Sequence, residues 1–249
     1  GRRAVAALAP ALRRQLSLDV VIANGENAAA GRGLTGKTAK ELFDGGVDII
    51  TSGNHIWDQR EIIAHLDDDA RILRPANYPE GAPGRGVTSL GALTVINLMG
   101  RTFMYEIDDP FRAADRLLAA VPAGQVIAVD MHAEATSEKI AMGWYLDGRV
   151  AAVFGTHTHV PTADQRMLPK GTAFVCDLGM VGARDSIIGV EAGPVLRKFL
   201  TGMPAKFSVE ETSKAVTFNS VLIDIDEASG RARSIERVDR EWEQDAEQG

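Results

Sequence analysis

Val150-Ala151-Ala152-Val153-Phe154-Gly155-Thr156-His157-Thr158-His159 joins an apolar run of strand length to two histidines set two residues apart. The chain repeats this arrangement. Residues 125–129 lead into Asp130-Met131-His132, residues 47–51 into Gly53-Asn54-His55, and residues 18–23 into Asn24-Gly25-Glu26-Asn27. Four of the five histidines therefore follow apolar runs that read as strands, and a carboxylate beside a carboxamide follows another. Segments of helical period separate the runs, at 2–16, 36–45, from about 59, from 110 and at 136–147. Strand, helix, strand in succession predicts a largely parallel sheet covered by helices.

Local signals agree with that order. Asp109-Pro110 offers an N-cap and a first-turn proline, and Asp58 with Glu61 has the spacing of a capping box. A Pro/Gly-rich loop at 75–86 precedes a strand at 93–98. Beyond 172 the pattern changes to strands at 172–176, 206–209, 216–225 and 233–238, with one helix at 191–201. That change predicts antiparallel pairing and a second sheet. Residues 1–240 read as one domain, and the polar stretch from Arg240 to the end reads as a frayed tail.

Composition narrows the function classes. A chain of 249 residues, 45% hydrophobic and 24% charged, can bury a full core. No apolar run reaches the ~18 residues of a membrane span, and the start lacks the apolar core of a secretory signal. The single cysteine, Cys176, fits a reducing compartment, so a cytoplasmic location is expected; its apolar neighbours mark a buried, inert thiol. A net charge of -7 argues against clamping long nucleic acid. A small anionic substrate remains compatible if cations in the site supply the positive charge.

In open α/β sheets, ligands bind outside the carboxyl ends of the strands, where all four segments sit. Histidine is the commonest metal ligand. This layout predicts a metal-dependent hydrolase. A pair of divalent ions ~3.5–4 Å apart can activate a water and clamp phosphoryl oxygens, and such a pair needs a bridging carboxylate. Glu26 is the candidate.

The segments Asn24-Gly25-Glu26-Asn27-Ala28-Ala29, Gly53-Asn54-His55, His132-Ala133-Glu134-Ala135-Thr136-Ser137-Glu138-Lys139 and Gly155-Thr156-His157-Thr158-His159 together resemble the YmdB-like branch of the calcineurin-type metallophosphoesterases. The resemblance runs from residue 1 to about 240. It implies a four-layer α/β/β/α sandwich, the metallo-dependent phosphatase fold. It also implies a dinuclear site with phosphodiesterase activity on a small phosphodiester or nucleotide, 2′,3′-cyclic nucleotides above all, and a homo-oligomer. Iron or manganese are the metals expected, and zinc also suits the donors. By the same resemblance Glu26 bridges the two metals and Asn27 assists at the first. Asn54, His132 and His157 ligate the second metal, His159 the first, and His55 is the general acid. The family pattern begins with a strand ending in Gly-Asp, whose aspartate ligates the first metal, followed by Gly-Arg. Gly1-Arg2 matches that Gly-Arg. An N-terminal truncation or an incomplete record is therefore expected, with the first metal position weak or empty.

Other readings compete. Gly31-Arg32-Gly33-Leu34-Thr35-Gly36-Lys37-Thr38 matches a P-loop, and Val126-Ile127-Ala128-Val129-Asp130 resembles a strand ending in a magnesium-holding aspartate. Residues 24–30, however, intervene between strand and glycine loop. The loop otherwise reads as a cover bringing Arg32 or Lys37 near a substrate phosphate, or as a turn capped by Thr35. His65 reads as an ordinary helix residue. The run 134–139 reads either as a substrate contact or as acid at a helix start. The alternative function is a metal-dependent regulatory protein that binds a nucleotide or RNA end with little turnover.

Overall fold

Period-two alternation sorts the strand side chains onto two faces, and that sorting builds the layers. In the computed structural model, which describes residues 1–243, the elements run α1 (Arg2–Leu16), β1 (Ile22–Asn24), α2 (Gly36–Asp44), β2 (Ile49–Thr51), α3 (Ile63–Leu66), β3 (Val87–Leu90), β4 (Leu93–Met99), α4 (Pro110–Ala120), β5 (Val126–His132), α5 (Thr136–Leu146) and β6 (Ala152–Thr156). They continue with β7 (Arg166–Met167), β8 (Ala173–Val175), β9 (Val181–Ala183), α6 (Ala192–Thr201), β10 (Ala215–Phe218), β11 (Val221–Asp226), β12 (Arg231–Arg237) and β13 (Arg240–Glu243). Six strands form one sheet in the order β3-β4-β5-β6-β8-β7. Its four inner strands are parallel and its two edges antiparallel.

One face of this sheet, with Ile96, Leu98, Val129, Met131, Val153 and Phe174, packs on α4 and α5 through Ala113, Ala114, Met142 and Leu146. The other face, with Ala128, Phe154 and Val175, meets Ile22 of β1 and Val221, Ile223 and Ile235 of β11 and β12. Parallel pair β1-β2 and antiparallel groups β9-β10-β13 and β11-β12 make the second strand layer. Behind it Ala23, Ile50, Phe218 and Val238 pack on Val5, Ala9 and Leu12 of α1 and Ala39 and Leu42 of α2. The result is the four-layer α/β/β/α sandwich expected from the sequence.

The predicted antiparallel second sheet is present, and four details differ. Residues 206–209 form no strand; Val209 makes one bridge, to Val190. The run 216–225 is broken into β10 and β11, each paired with different neighbours. Arg240 to Glu243 is a strand rather than a frayed tail, because β13 takes the free edge of β10; residues 244–249 lie outside the described residues. Asp58 caps no helix. The segment after it is a single 3-10 turn (Arg60–Ile62) leading into α3, and the Asp58 carboxylate turns instead to His55. Among the described residues no helix is long and apolar enough to cross a membrane.

Candidate metal centre

Strand parity sets the site. Ala128, Asp130 and His132 of β5 point to the sandwich side, as do Ala152, Phe154 and Thr156 of β6, so the last inward residue of each of these two strands is polar. Asp130 is fully buried and accepts from Thr51 Oγ1 (2.5 Å), Thr156 Oγ1 (2.7 Å) and Asn24 Nδ2 (3.3 Å). Burial pushes its carboxyl up, against the opposing pull of His132 and these donors. Because Thr156 gives its proton to Asp130, its oxygen accepts from His132 Nδ1 at 2.9 Å. The Nε2 of His132 is thereby left as the free ring nitrogen.

That nitrogen lies 3.0 Å from Glu26 Oε1, 2.9 Å from Asn54 Oδ1 and 3.1 Å from His157 Nδ1. The other nitrogen of His157 meets Glu134 Oε2 at 3.1 Å, and that of His159 meets the Ile188 carbonyl at 3.0 Å. In all three histidines an outward nitrogen donates to an oxygen, and the remaining nitrogen faces the Glu26, Asn27 and Asn54 side. Metal-binding histidines are oriented in this way. Glu26, His132 and His157 each place a donor atom within 4.8 Å of the others. So many lone pairs converging on one point repel each other unless a proton or a cation lies between them.

The donor set fits a metal by a second observation. Asn27 Nδ2 sits 3.0 Å from His159 Nε2, while Asn27 Oδ1 is buried with no hydrogen-bond partner. A buried, unpaired amide oxygen is costly unless something outside the protein satisfies it. The Glu26 and Asp130 oxygens favour a proton on His132. Burial alone would raise Glu26, but the charge and hydrogen bond of His132 and the His55 backbone N–H hold it at about 2. His132 is raised despite full burial by Glu26 and Asp130, whereas burial and the neighbouring His132 charge bring His157 down to about 4.

Backbone shape places these side chains. His157 and His159 adopt left-handed backbone, φ 102° and 65°. Such conformations cost an L-residue about 1–3 kcal/mol and persist only where the surroundings over-determine them. A Cβ on Gly53 would overlap the His132 ring, so only glycine lets β2's exit lie against β5. Ser52 fixes that exit, donating N–H to Asn97 Oδ1 (2.9 Å) and its hydroxyl to the Leu73 carbonyl (2.7 Å). His55 stands outside the three-residue cluster. Its backbone N–H donates to Glu26 Oε2 at 3.1 Å and its Nδ1 meets Asp58 Oδ2 at 2.9 Å.

The profile of the YmdB-like protein family matches residues 1–238. The chain belongs to that family. It is 49% identical over 243 residues to a Bacillus subtilis protein called 2′,3′-cyclic-nucleotide 2′-phosphodiesterase, covering 96% of this chain and 91% of that one. A solved structure from Thermus thermophilus, described as a hypothetical protein, is 45% identical with a TM-score of 0.89, covering 96% of this chain and 94% of the other. A Mycoplasma pneumoniae structure described as a novel phosphatase is 32% identical with a TM-score of 0.91, covering 98% and 90%. The YmdB-like fold and the strand-end cluster thus agree.

Sequence reasoning named Glu26, Asn27, Asn54, His55, His132, His157 and His159, and the fold brings all seven to one end of the sandwich. It missed Asp130 and Thr156 as the support of His132, Asp58 as the partner of His55, and Glu134 as the partner of His157. Asp130 was visible only as the aspartate of a P-loop reading, which the structure overturns. The Thr35 hydroxyl accepts from Thr38 N–H, and Thr38 Oγ1 accepts from Thr35 N–H, so the start of α2 is capped by its own side chains.

Proposed function

We propose that this chain is a metal-dependent phosphodiesterase acting on small phosphodiesters, with 2′,3′-cyclic nucleotides as its substrate class. The observation that carries the reading is the fixed orientation of His132, His157 and His159, each with one nitrogen turned toward the Glu26, Asn27 and Asn54 side. Glu26, Asn54, His132 and His157 would hold one divalent ion, and Glu26, Asn27 and His159 another; iron or manganese is the proposed metal. Such ions, when bound, activate water and neutralise charge on phosphoryl oxygens. Asn27 and His159 are half-buried and give the second position one protein ligand fewer than the first, which makes it the weaker. His55 is the proposed general acid for the leaving ribose oxygen. Asp58 holds its Nδ1 and so presents Nε2.

Trp57, two residues along from His55 and edge-to-face with Tyr78 at 5.4 Å, lines a groove with Arg60, which supports a nucleotide as substrate. Leu196, Phe199 and Leu200 of α6 and Met203 beyond it are exposed, a patch that supports a homo-oligomer. The buried Cys176 supports a cytoplasmic location.

Hydrolysis of 2′,3′-cyclic AMP with and without added manganese tests the reading. Manganese-dependent release of a nucleoside monophosphate is expected. Saturable nucleotide binding with no product would replace the enzyme with a metal-dependent binding protein.

A further inference from the structure

Two charged side chains beneath the metal centre take no part in the chemistry above. Lys139, on α5, and Asp177, after β8, are both fully buried and pair at 2.7 Å. Lys139 Nζ also donates to the Thr156 carbonyl at 3.2 Å. Asp177 Oδ2 accepts the Thr158 backbone N–H at 3.1 Å and the Thr158 hydroxyl at 2.8 Å, and its Oδ1 accepts Gly179 N–H at 2.8 Å. The stem of Lys139 reaches this point under β6 at Gly155, where a Cβ would lie 2.6 Å from Lys139 Cδ and overlap the Cys176 carbonyl. Arg237 of β12 secures the far side, donating to the Leu178 carbonyl at 2.6 Å and the Thr162 carbonyl at 3.2 Å.

Buried ion pairs are weak contributors to stability, since desolvation offsets their attraction. This one touches the residues before and between the two histidines that hold left-handed backbone. We propose that Lys139 and Asp177 are positioning residues that lock the turn His157-Thr158-His159 in its metal-holding conformation. Lys139 fixes the turn's entry at Thr156 and the orientation of the Asp177 carboxylate. Asp177 then fixes its centre at Thr158, so the two rings diverge toward different partners. The inference rests on the metal-centre reading but makes a claim about the metal-free turn as well.

The test measures both. Hydrogen exchange of the peptide 155–162 is followed in metal-free wild type, Lys139→Met, Thr158→Val and Thr158→Ser, with the β5 peptide as internal reference, and cobalt(II) affinity is titrated for each. Lys139→Met should speed exchange across 155–162 by about tenfold or more while β5 stays protected. Cobalt affinity should fall about 10–100-fold, as when the outer partners of metal ligands are removed. Thr158→Val should fall between wild type and Lys139→Met, and Thr158→Ser, which keeps the hydroxyl, should match wild type. Unchanged exchange and unchanged cobalt affinity in a folded Lys139→Met would overturn the proposal. If that variant does not fold, equal values for Thr158→Val and Thr158→Ser overturn it instead. A wild type that binds no cobalt would overturn the metal-centre reading, and exchange alone would then decide the role of the pair.

Discussion

The two halves of the centre are built differently. Glu26 and His157 gather on the free nitrogen of His132, the last residue of β5, whose own partners Asp130 and Thr156 are buried side chains of the same sheet. Asn27 and His159 stand on turns, and His159 leans on the carbonyl of Ile188, a half-exposed residue with φ 49°. Side chains held by packed, buried partners lose little freedom when a cation arrives. Those held by turns must be ordered at that moment, so the strand-end half should bind first and more tightly.

The sharpest way to break this comparison is Glu26→Gln, which keeps the shape and removes the carboxylate both halves share. Removing the outer partners of metal ligands costs about 10–100-fold, so the loss in metal affinity here should exceed ~100-fold. His159→Ala should leave the tighter site filled; equal loss in the two variants, measured by manganese titration, would erase the distinction. A smaller effect follows from Gly53→Ala, where the new methyl presses on the His132 ring. Thermal melting should show about 1–3 kcal/mol of destabilisation, typical of overpacking, and a melt equal to wild type would mean the β2 exit is looser than described.

The smallest effect is in pH. Glu26, lowered from 4.5 to about 2, contributes stability that is fully present above 4.5 and is lost as pH falls toward 2. His132, raised above 6.5, contributes stability present below 6.5 and lost as pH rises through its folded value. The pair therefore supports the metal-free protein most fully between about 4.5 and 6.5. Below the raised titration of His132 a metal must displace its proton, so affinity should rise with pH through that range and binding there should release a proton. Calorimetry in two buffers of different ionisation enthalpy checks this: buffer-independent heats would contradict it.

The strand-end half was also the more legible half in the sequence. Parallel strands bring their carboxyl ends together whatever the distance along the chain, so His132 and His157 could be placed side by side from apolar runs alone. The change of period near residue 172 announced the second, antiparallel sheet, whereas the four layers were implied by the family resemblance. What stayed hidden depends on side chains meeting across the fold. Lys139 and Asp177 are 38 residues apart; Lys139 was legible only as the end of a run read as a substrate contact or a helix start, and nothing in the sequence joined it to Asp177. Asp58 mimicked a helix cap, and Thr156 gave no sign that its hydroxyl would relay between Asp130 and His132. The polar Arg240–Glu243 strand has no apolar alternation to announce it and is ordered only by the open edge of β10.

The division of labour between holding metal and moving a proton is tested most directly by measuring metal content and 2′,3′-cyclic AMP hydrolysis together in His157→Ala and His55→Ala. His157→Ala should lose both. His55→Ala should keep its metal and lose about 10²–10⁴-fold in rate, the usual contribution of a general acid. Equal loss of metal in the two variants would contradict the account.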